Sequence, residues 1–428
     1  MKSIAPAAEL TVATVLADIA IVLVVGYVFG RAARRLGQPV VVGEILAGIA
    51  LGPSLLGLLP GDLTSAVFPP AGRPYLSAIS QVGLLLFMFL IGWEFDRRLV
   101  ARRKSLTVSV SVCSIALAFG LGVGLAALLY DRHATVAGRH VPFTAFALFI
   151  GAAMSITAFP VLARILRDRR IAHTEVGVLA LASAAIDDVL AWCILAVVAM
   201  VATARDPGDL IQVVALSALY VTAMTAVVRP ALARLVRRVE SAPALAVITA
   251  SGVFLSSYAT TWIGIHAVFG AFAFGFVMPR EPVERLTQAV RRPFENIGLL
   301  LMPVFFIVTG LSVDISGLTV TNAVELAAIV LVACAGKMLG ATGAGRAFGL
   351  PWSDARRLGV LMNTRGLTEL IVLNVGVSLG VLDTPMFTMM VIMALVTTAM
   401  AGPLLSRRWP DSGDEIAARA AEPVAARG

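Results

Sequence analysis

Apolar residues run through this chain in stretches of about twenty, separated by short polar segments, from residue 10 to residue 405. That length matches the roughly 20 helical residues needed to cross the hydrocarbon of a bilayer. Thirteen segments are predicted as membrane helices: 10–30, 39–57, 76–95, 106–130, 142–166, 175–204, 209–228, 240–260, 264–279, 296–313, 322–345, 357–381 and 385–405. The first, Leu10–Gly30, reads as a retained span, since no small-residue cleavage site precedes Arg31. Lipid offers no partner for backbone N–H and C=O groups, so segments of this length must satisfy them internally as helices. The expected fold is an all-α polytopic membrane protein: residues 1–408 form the transmembrane domain, and 409–428 form a short cytoplasmic tail.

Composition removes the soluble alternative. Hydrophobic residues make up 59% of the 428 positions and charged residues only 14%, with a mean hydropathy of +0.91. A water-soluble fold of this composition would expose large apolar patches. The net charge of +8 would suit a nucleic acid, but its distribution does not. Twenty-five basic residues sit in loops that follow odd-numbered segments, including Arg97, Arg98, Arg102, Arg103 and Lys104, whereas only Arg73, Arg132, Arg139 and Arg205 sit in the others. This asymmetry places the N-terminus outside and the C-terminus in the cytoplasm, with lipid headgroups, not nucleic acid, as the partner of the arginines. Cys113, Cys193 and Cys334 lie in apolar segments without ligand spacing and read as small buried hydrophobes.

The chain also repeats itself. Leu84–Asp96 and Met302–Asp314 superpose after a shift of 218 residues, aligning Phe87 with Phe305, Gly92 with Gly310 and Asp96 with Asp314. They belong to the third and tenth segments. A separation of seven makes the copies cross in opposite senses, the inverted-repeat plan of secondary transporters, whose transport site lies near the midplane.

Ionisable groups at membrane depth are costly and mark functional positions. Asp187 and Asp188 stand next to the middle of the sixth segment. Neighbours on a helix point about 100° apart, so one carboxylate can face a partner while the other faces a water-filled cavity. Lys337 is the second signal. Only three lysines occur beside 31 arginines, and Lys337 alone of the three falls within an apolar segment. A buried lysine can exchange its proton where arginine keeps its charge; snorkelling to the interface is the structural alternative. Interrupted helices are the third. In the fifth segment Thr157-Ala158-Phe159-Pro160 carries a proline that removes a backbone donor, leaving either a kink or a break. In the twelfth, Asn363-Thr364-Arg365-Gly366 precedes Glu369, with Arg365 and Glu369 spaced i and i+4. These segments too are seven apart. Crossing broken helices would oppose their dipole ends, and Arg365 and Glu369 could neutralise those ends. Glu44, Asp18 and His266 are weaker candidates, and the glycines and proline around Glu44 predict a loosely wound second helix. Phosphate loops, nucleophilic triads and metal clusters are absent from the sequence, so neither enzyme activity nor a cofactor is expected.

Taken in order, QPVVVGEILAGIALGPSLLG (Gln38–Gly57), Leu86–Asp96, SITAFPVLARIL (Ser155–Leu166), IDDVLAW (Ile186–Trp192), Gly264–Pro279, Met302–Leu311, Lys337 and GVLMNTRGLTELIVLNVG (Gly359–Gly376) resemble the monovalent cation:proton antiporter-2 family. The wording is similar to the plant and fungal cation/proton exchanger branch and its bacterial relatives. The resemblance implies a sodium/proton exchanger fold, with a six-helix core domain and a dimerising scaffold domain. It implies exchange of sodium or potassium for protons across the cell membrane, by a homodimer. It further implies Asp188 as the monovalent-cation and proton site, with Asp187 beside it and Lys337 pairing with Asp187. The nucleotide-binding and universal-stress-like domains of some branches have no counterpart here. A channel-like cation pathway would differ by passing ions without proton exchange. An intramembrane aspartyl protease would need its two carboxylates on different helices.

Overall fold

The computed structural model describes residues 7–61, 63–94, 104–168, 171, 174–203 and 207–408. Asp96, the basic residues Lys2, Arg97, Arg98, Arg102, Arg103, Arg169, Arg170 and Arg205, and the expected tail lie outside them. Eighteen helices follow one another among the described residues: α1 (Ala7–Arg35), α2 (Val40–Leu51), α3 (Leu63–Val67), α4 (Arg73–Glu94), α5 (Lys104–His133), α6 (Phe143–Ser155), α7 (Phe159–Asp168), α8 (Glu175–Thr203), α9 (Pro207–Ala223), α10 (Arg229–Arg238), α11 (Ala242–Ile263), α12 (Ala267–Val277), α13 (Val283–Leu286), α14 (Arg292–Leu311), α15 (Val320–Ala347), α16 (Trp352–Met362), α17 (Leu367–Ser378) and α18 (Thr384–Arg408). A two-residue hairpin, Thr135–Val136 against Arg139–His140, turns the chain from α5 into α6.

Nine helical stretches among these are long and apolar enough to cross a membrane, and four shorter apolar helices accompany them. Each of the thirteen predicted segments overlaps one of these. Boundaries differ where the sequence misled. The helix expected to stop at Val228 runs on through a π-helical turn (Met224–Val228) into α10. Pro230 follows that turn inside the continuous helix, and a π-helical turn beside a proline is one way a helix absorbs the lost N–H. A second π-helical turn, Thr287–Arg291, likewise extends α14 backwards. The second helix is regular, not loose: α2 is continuous and ends at Gly52-Pro53.

Packing sorts the helices into two bundles. In one, α2 lies against α1 and α14, and α4 against α12 and α14; in the other, α15 lies against α5, α16 and α18, while α8 touches α5, α6, α7 and α16. The inverted repeat is visible in the first. At the α2–α14 crossing a Cβ on Gly48 would stand 2.8 Å from Gly310 Cα, and one on Gly310 would stand 2.7 Å from Gly48 Cα. The related α12–α4 crossing is built the same way, with Gly275 against the backbone of Phe89 and Gly92 against that of Phe272. Glycine here lets two backbones approach to van der Waals contact, the main source of helix association in lipid.

The second bundle uses the same device next to the charged centre. A Cβ on Gly336 would meet Ala118 Cα of α5 at 2.6 Å, whereas Gly343, two turns along α15, has open space. Gly336→Ala should therefore force α5 and α15 apart and cost about 1–3 kcal/mol. Gly343→Ala on the same helix should be neutral or stabilising by up to about 1 kcal/mol. Thermal unfolding of the two variants in detergent checks this; equal melting temperatures would contradict the close-packed crossing.

Candidate ion-exchange site

Helix α8 carries Asp187 and Asp188 in an Ala-rich stretch that lets α5, α6, α7 and α16 pack round it. The two neighbours meet different surroundings. Asp187 is fully buried. Ser111 donates to its Oδ1 at 2.5 Å, Lys337 Nζ to its Oδ2 at 2.8 Å, and the Thr157 hydroxyl lies 2.8 Å from the same Oδ2. Lys337, also fully buried, donates a second bond to Ser114 Oγ at 3.1 Å. Asp188 has no such shell: its Oδ1 is buried without a hydrogen-bond partner. The backbone N–H of Phe159, the first residue of α7, is directed at the Asp188 carboxylate. A helix N-terminus aimed at a carboxylate adds a positive partial charge.

The fifth segment is broken, not kinked. Helix α6 ends at Ser155, Ile156 is extended, and α7 starts at Phe159, so Pro160 occupies the second position of a new helix, where its lost donor was unpaired anyway. The twelfth segment breaks between Met362 and Leu367. The two interruptions satisfy one another. Ala158 N–H donates to Thr364 O at 3.0 Å, and Thr157 Oγ1 lies 2.9 Å from Met362 O. Arg365 donates to Ala153 O at 2.8 Å and to Met154 O at 2.5 Å, the terminal carbonyls of α6. Glu369, in the first turn of α17, accepts from Arg365 at 2.7 Å. The cation thus sits at a negative helix end and the anion at a positive one. Gly366 passes close to Val161, where a Cβ would stand 2.5 Å from Cγ2. Asn363 Oδ1 and Thr364 Oγ1 are buried without partners, while Asn363 Nδ2 reaches Cys334 Sγ at 3.5 Å.

Other expectations fare differently. Cys113 and Cys193 are exposed on the outer faces of their helices, which corrects their reading as buried; an apolar thiol suits a lipid-facing surface. Glu44 is buried on α2 beside α1, and Asp18 is buried on α1 with Oδ2 unpartnered, both in the other bundle. His266 caps α12, its Nδ1 accepting from Val268 N–H at 3.4 Å. Sequence reasoning missed Ser111 and Ser114. Thr107, Ser111 and Ser114 follow a four-then-three spacing that places three hydroxyls on one face of α5, a signal present but not read.

Comparison with known proteins puts this geometry in context. Residues 19–408 match the model of the transmembrane sodium/hydrogen exchanger family. The chain is 38% identical over 406 residues to the Na(+)/H(+) antiporter NhaS4 of Synechocystis sp., covering 94% of this chain and 98% of that one. It is 37% identical to Arabidopsis thaliana cation/H(+) antiporter 18 over 91% of its own length and 48% of the relative. For K(+)/H(+) antiporter 1 of Saccharomyces cerevisiae the identity is 32%, over 88% and 44%. The chain therefore spans about half the length of the plant and yeast relatives. Its fold is similar to that of the sodium proton antiporter MjNhaP1 from Methanocaldococcus jannaschii, with a TM-score of 0.65 at 15% identity over 93% of this chain and 97% of that one. Two crossing broken helices beside a buried carboxylate pair and lysine, in a chain matched nearly end to end, make this protein a member of the sodium/hydrogen exchanger family.

Proposed function

We propose that the protein exchanges a monovalent cation, sodium or potassium, for protons by alternating access, with Asp188 as the binding group. One observation carries this reading: Asp188 Oδ1 is a buried, unpartnered carboxylate oxygen next to an Asp187 whose oxygens are fully engaged. A carboxylate so placed accepts a proton or a dehydrated cation, and not both, which is the minimum machinery for exchange. Asn363 and Thr364 offer further oxygens at the crossover. Thr157, Ala158, Phe159, Pro160, Arg365, Gly366 and Glu369 hold the broken helices in register. Relatives named for Na(+)/H(+) and K(+)/H(+) antiport support the substrate class.

Residues 1–408 act as the exchanger domain, and 409–428 as a cytoplasmic tail. The arginine asymmetry of the loops supports a cell-membrane protein with its N-terminus outside and C-terminus in the cytoplasm. The bundle containing α1, α2, α4 and α9–α14 serves as scaffold and homodimer interface, and the bundle of α5–α8 and α15–α18 moves against it. Proton release involves the coupled Asp187–Asp188–Lys337 cluster. A cation displaces the proton of Asp188, and a second proton leaves as the Asp187–Lys337 pair rearranges. Two protons for one cation makes the exchange electrogenic.

Three outcomes follow. Asp188→Asn abolishes cation-driven proton flux in proteoliposomes while the protein stays folded and monodisperse; sustained flux in this variant would remove Asp188 from the mechanism. Lys337→Ala strands a buried carboxylate and lowers stability by about 3–5 kcal/mol. The Asp187→Asn, Lys337→Gln double variant recovers part of that loss, and additive melting-temperature changes would argue against coupling. Finally, a diffusion potential imposed on sodium-loaded liposomes changes the exchange rate according to its sign, with a driving force of about 2.3 kcal/mol per net charge per 100 mV. A rate indifferent to that sign would mean neutral one-for-one exchange.

A further inference from the structure

A second buried charged cluster lies far from Asp188 along the helices, where α5 ends, α15 begins and α17 connects to α18. His133, the last residue of α5, is 2% exposed. Its Nδ1 stands 2.7 Å from Asp383 Oδ2, and its Nε2 stands 3.4 Å from Glu325 Oε2. Both carboxylates are also held by other donors. Asp383 Oδ1 accepts from Met386 N–H at 2.8 Å, at the start of α18. Glu325 accepts from Arg132 at 2.5 Å and from Asn322 at 3.0 Å. The other charged or titratable groups described near this end are Tyr130 and Asp131 of α5 and Arg139 and His140 of the hairpin. Tyr130 is half-buried and bonds Val141 O and His140, and the rest are exposed. Among the described residues the imidazole alone joins the two carboxylates, across 192 and 250 residues of sequence.

We propose that His133 is a proton-operated clamp on the face of the membrane domain opposite the arginine-rich loops. An imidazolium donates from both ring nitrogens and can bond both carboxylates at once. Neutral imidazole donates from one nitrogen and turns a lone pair toward the second carboxylate. Both contacts therefore exist only while His133 carries its proton, and one is lost when the proton leaves. The clamp fixes the ends of helices whose other turns form the exchange site. Glu325 lies twelve residues before Lys337 on α15, about 18 Å along the axis. Asp383 follows α17, which carries Glu369. Acid on that face holds α5, α15 and the α17–α18 junction as one body; alkali frees them.

Hydrogen–deuterium exchange of the full chain in nanodiscs tests this without relying on transport activity. It is measured at about pH 5.5 and pH 9.5, an interval wide enough for an imidazole held between two carboxylates to lose its proton. After correction for intrinsic rates, amides at the starts of α15 (320–326) and α18 (384–387) should exchange about tenfold faster at the higher pH, the effect of losing one charge-assisted hydrogen bond. His133→Gln, which has no titration in this range, should show no such change. Asp383→Asn keeps an oxygen for Met386 N–H but removes the charge, and should reduce the change to less than about threefold. A pH response of equal size in wild type and both variants, or no response in wild type, would overturn the clamp.

Discussion

Arg365 occupies the position on which the rest of the core depends. Breaking two membrane helices at the same depth releases backbone donors and acceptors where no solvent can take them up, at several kcal/mol for each unsatisfied group. The Arg365 guanidinium closes the end of α6 by donating to Ala153 and Met154 carbonyls, while Glu369 balances its charge. The Thr398 hydroxyl of α18 lies 2.8 Å from the arginine's own carbonyl and 2.7 Å from Ala394 O, between which it shares its one proton. Only with those groups satisfied can extended backbone run past Asp188 at membrane depth. A lysine, with one point charge on a flexible stem, would not reach two carbonyls and a carboxylate in one plane.

The adjacent aspartates show how a helix separates two identical groups by direction alone. Asp187 turns toward α5 and α15 and finds Ser111 and Lys337; Asp188 turns toward the crossover and keeps an oxygen free of bonds. One is fixed in the structure and the other is available to a ligand. Glycine-lined crossings set the scale of this arrangement. Gly336, next to Lys337, brings α15 so close to α5 that the ammonium lies within bonding distance of Ser114.

Much of this was legible in the sequence, because lipid makes the grammar strict. Apolar run length placed the helices, and the alternation of arginine gave each its expected direction. A lysine and two aspartates in such runs stood out because hydrocarbon tolerates so few charges. The Pro160 break was harder to read: proline announces an interruption but not whether it bends a helix or begins a new one. What decided it was Thr364 and Arg365, two hundred residues later, which satisfy the opened backbone. The extensions through Met224–Val228 and Thr287–Arg291 were hidden because π-helical turns leave no distinctive spacing. His133, Glu325 and Asp383 escaped notice for another reason. Each sits at a helix end, where a charge is ordinary, and only the fold shows that they meet.

The core is assembled from two stretches of chain that are not contiguous, α5–α8 and α15–α18, with α9–α14 between them. That connectivity fixes the order in which the partners are made. Asp187 leaves the ribosome 150 residues ahead of Lys337, a delay of roughly 8–30 s at about 5–20 residues per second. Throughout that interval α8 carries two carboxylates with neither the lysine nor the arginine crossover in existence. In the first half of the core Asp187 therefore has only the hydroxyls of Ser111 and Thr157 to meet it. Biogenesis of the transporter is complete only when the last quarter of the chain arrives.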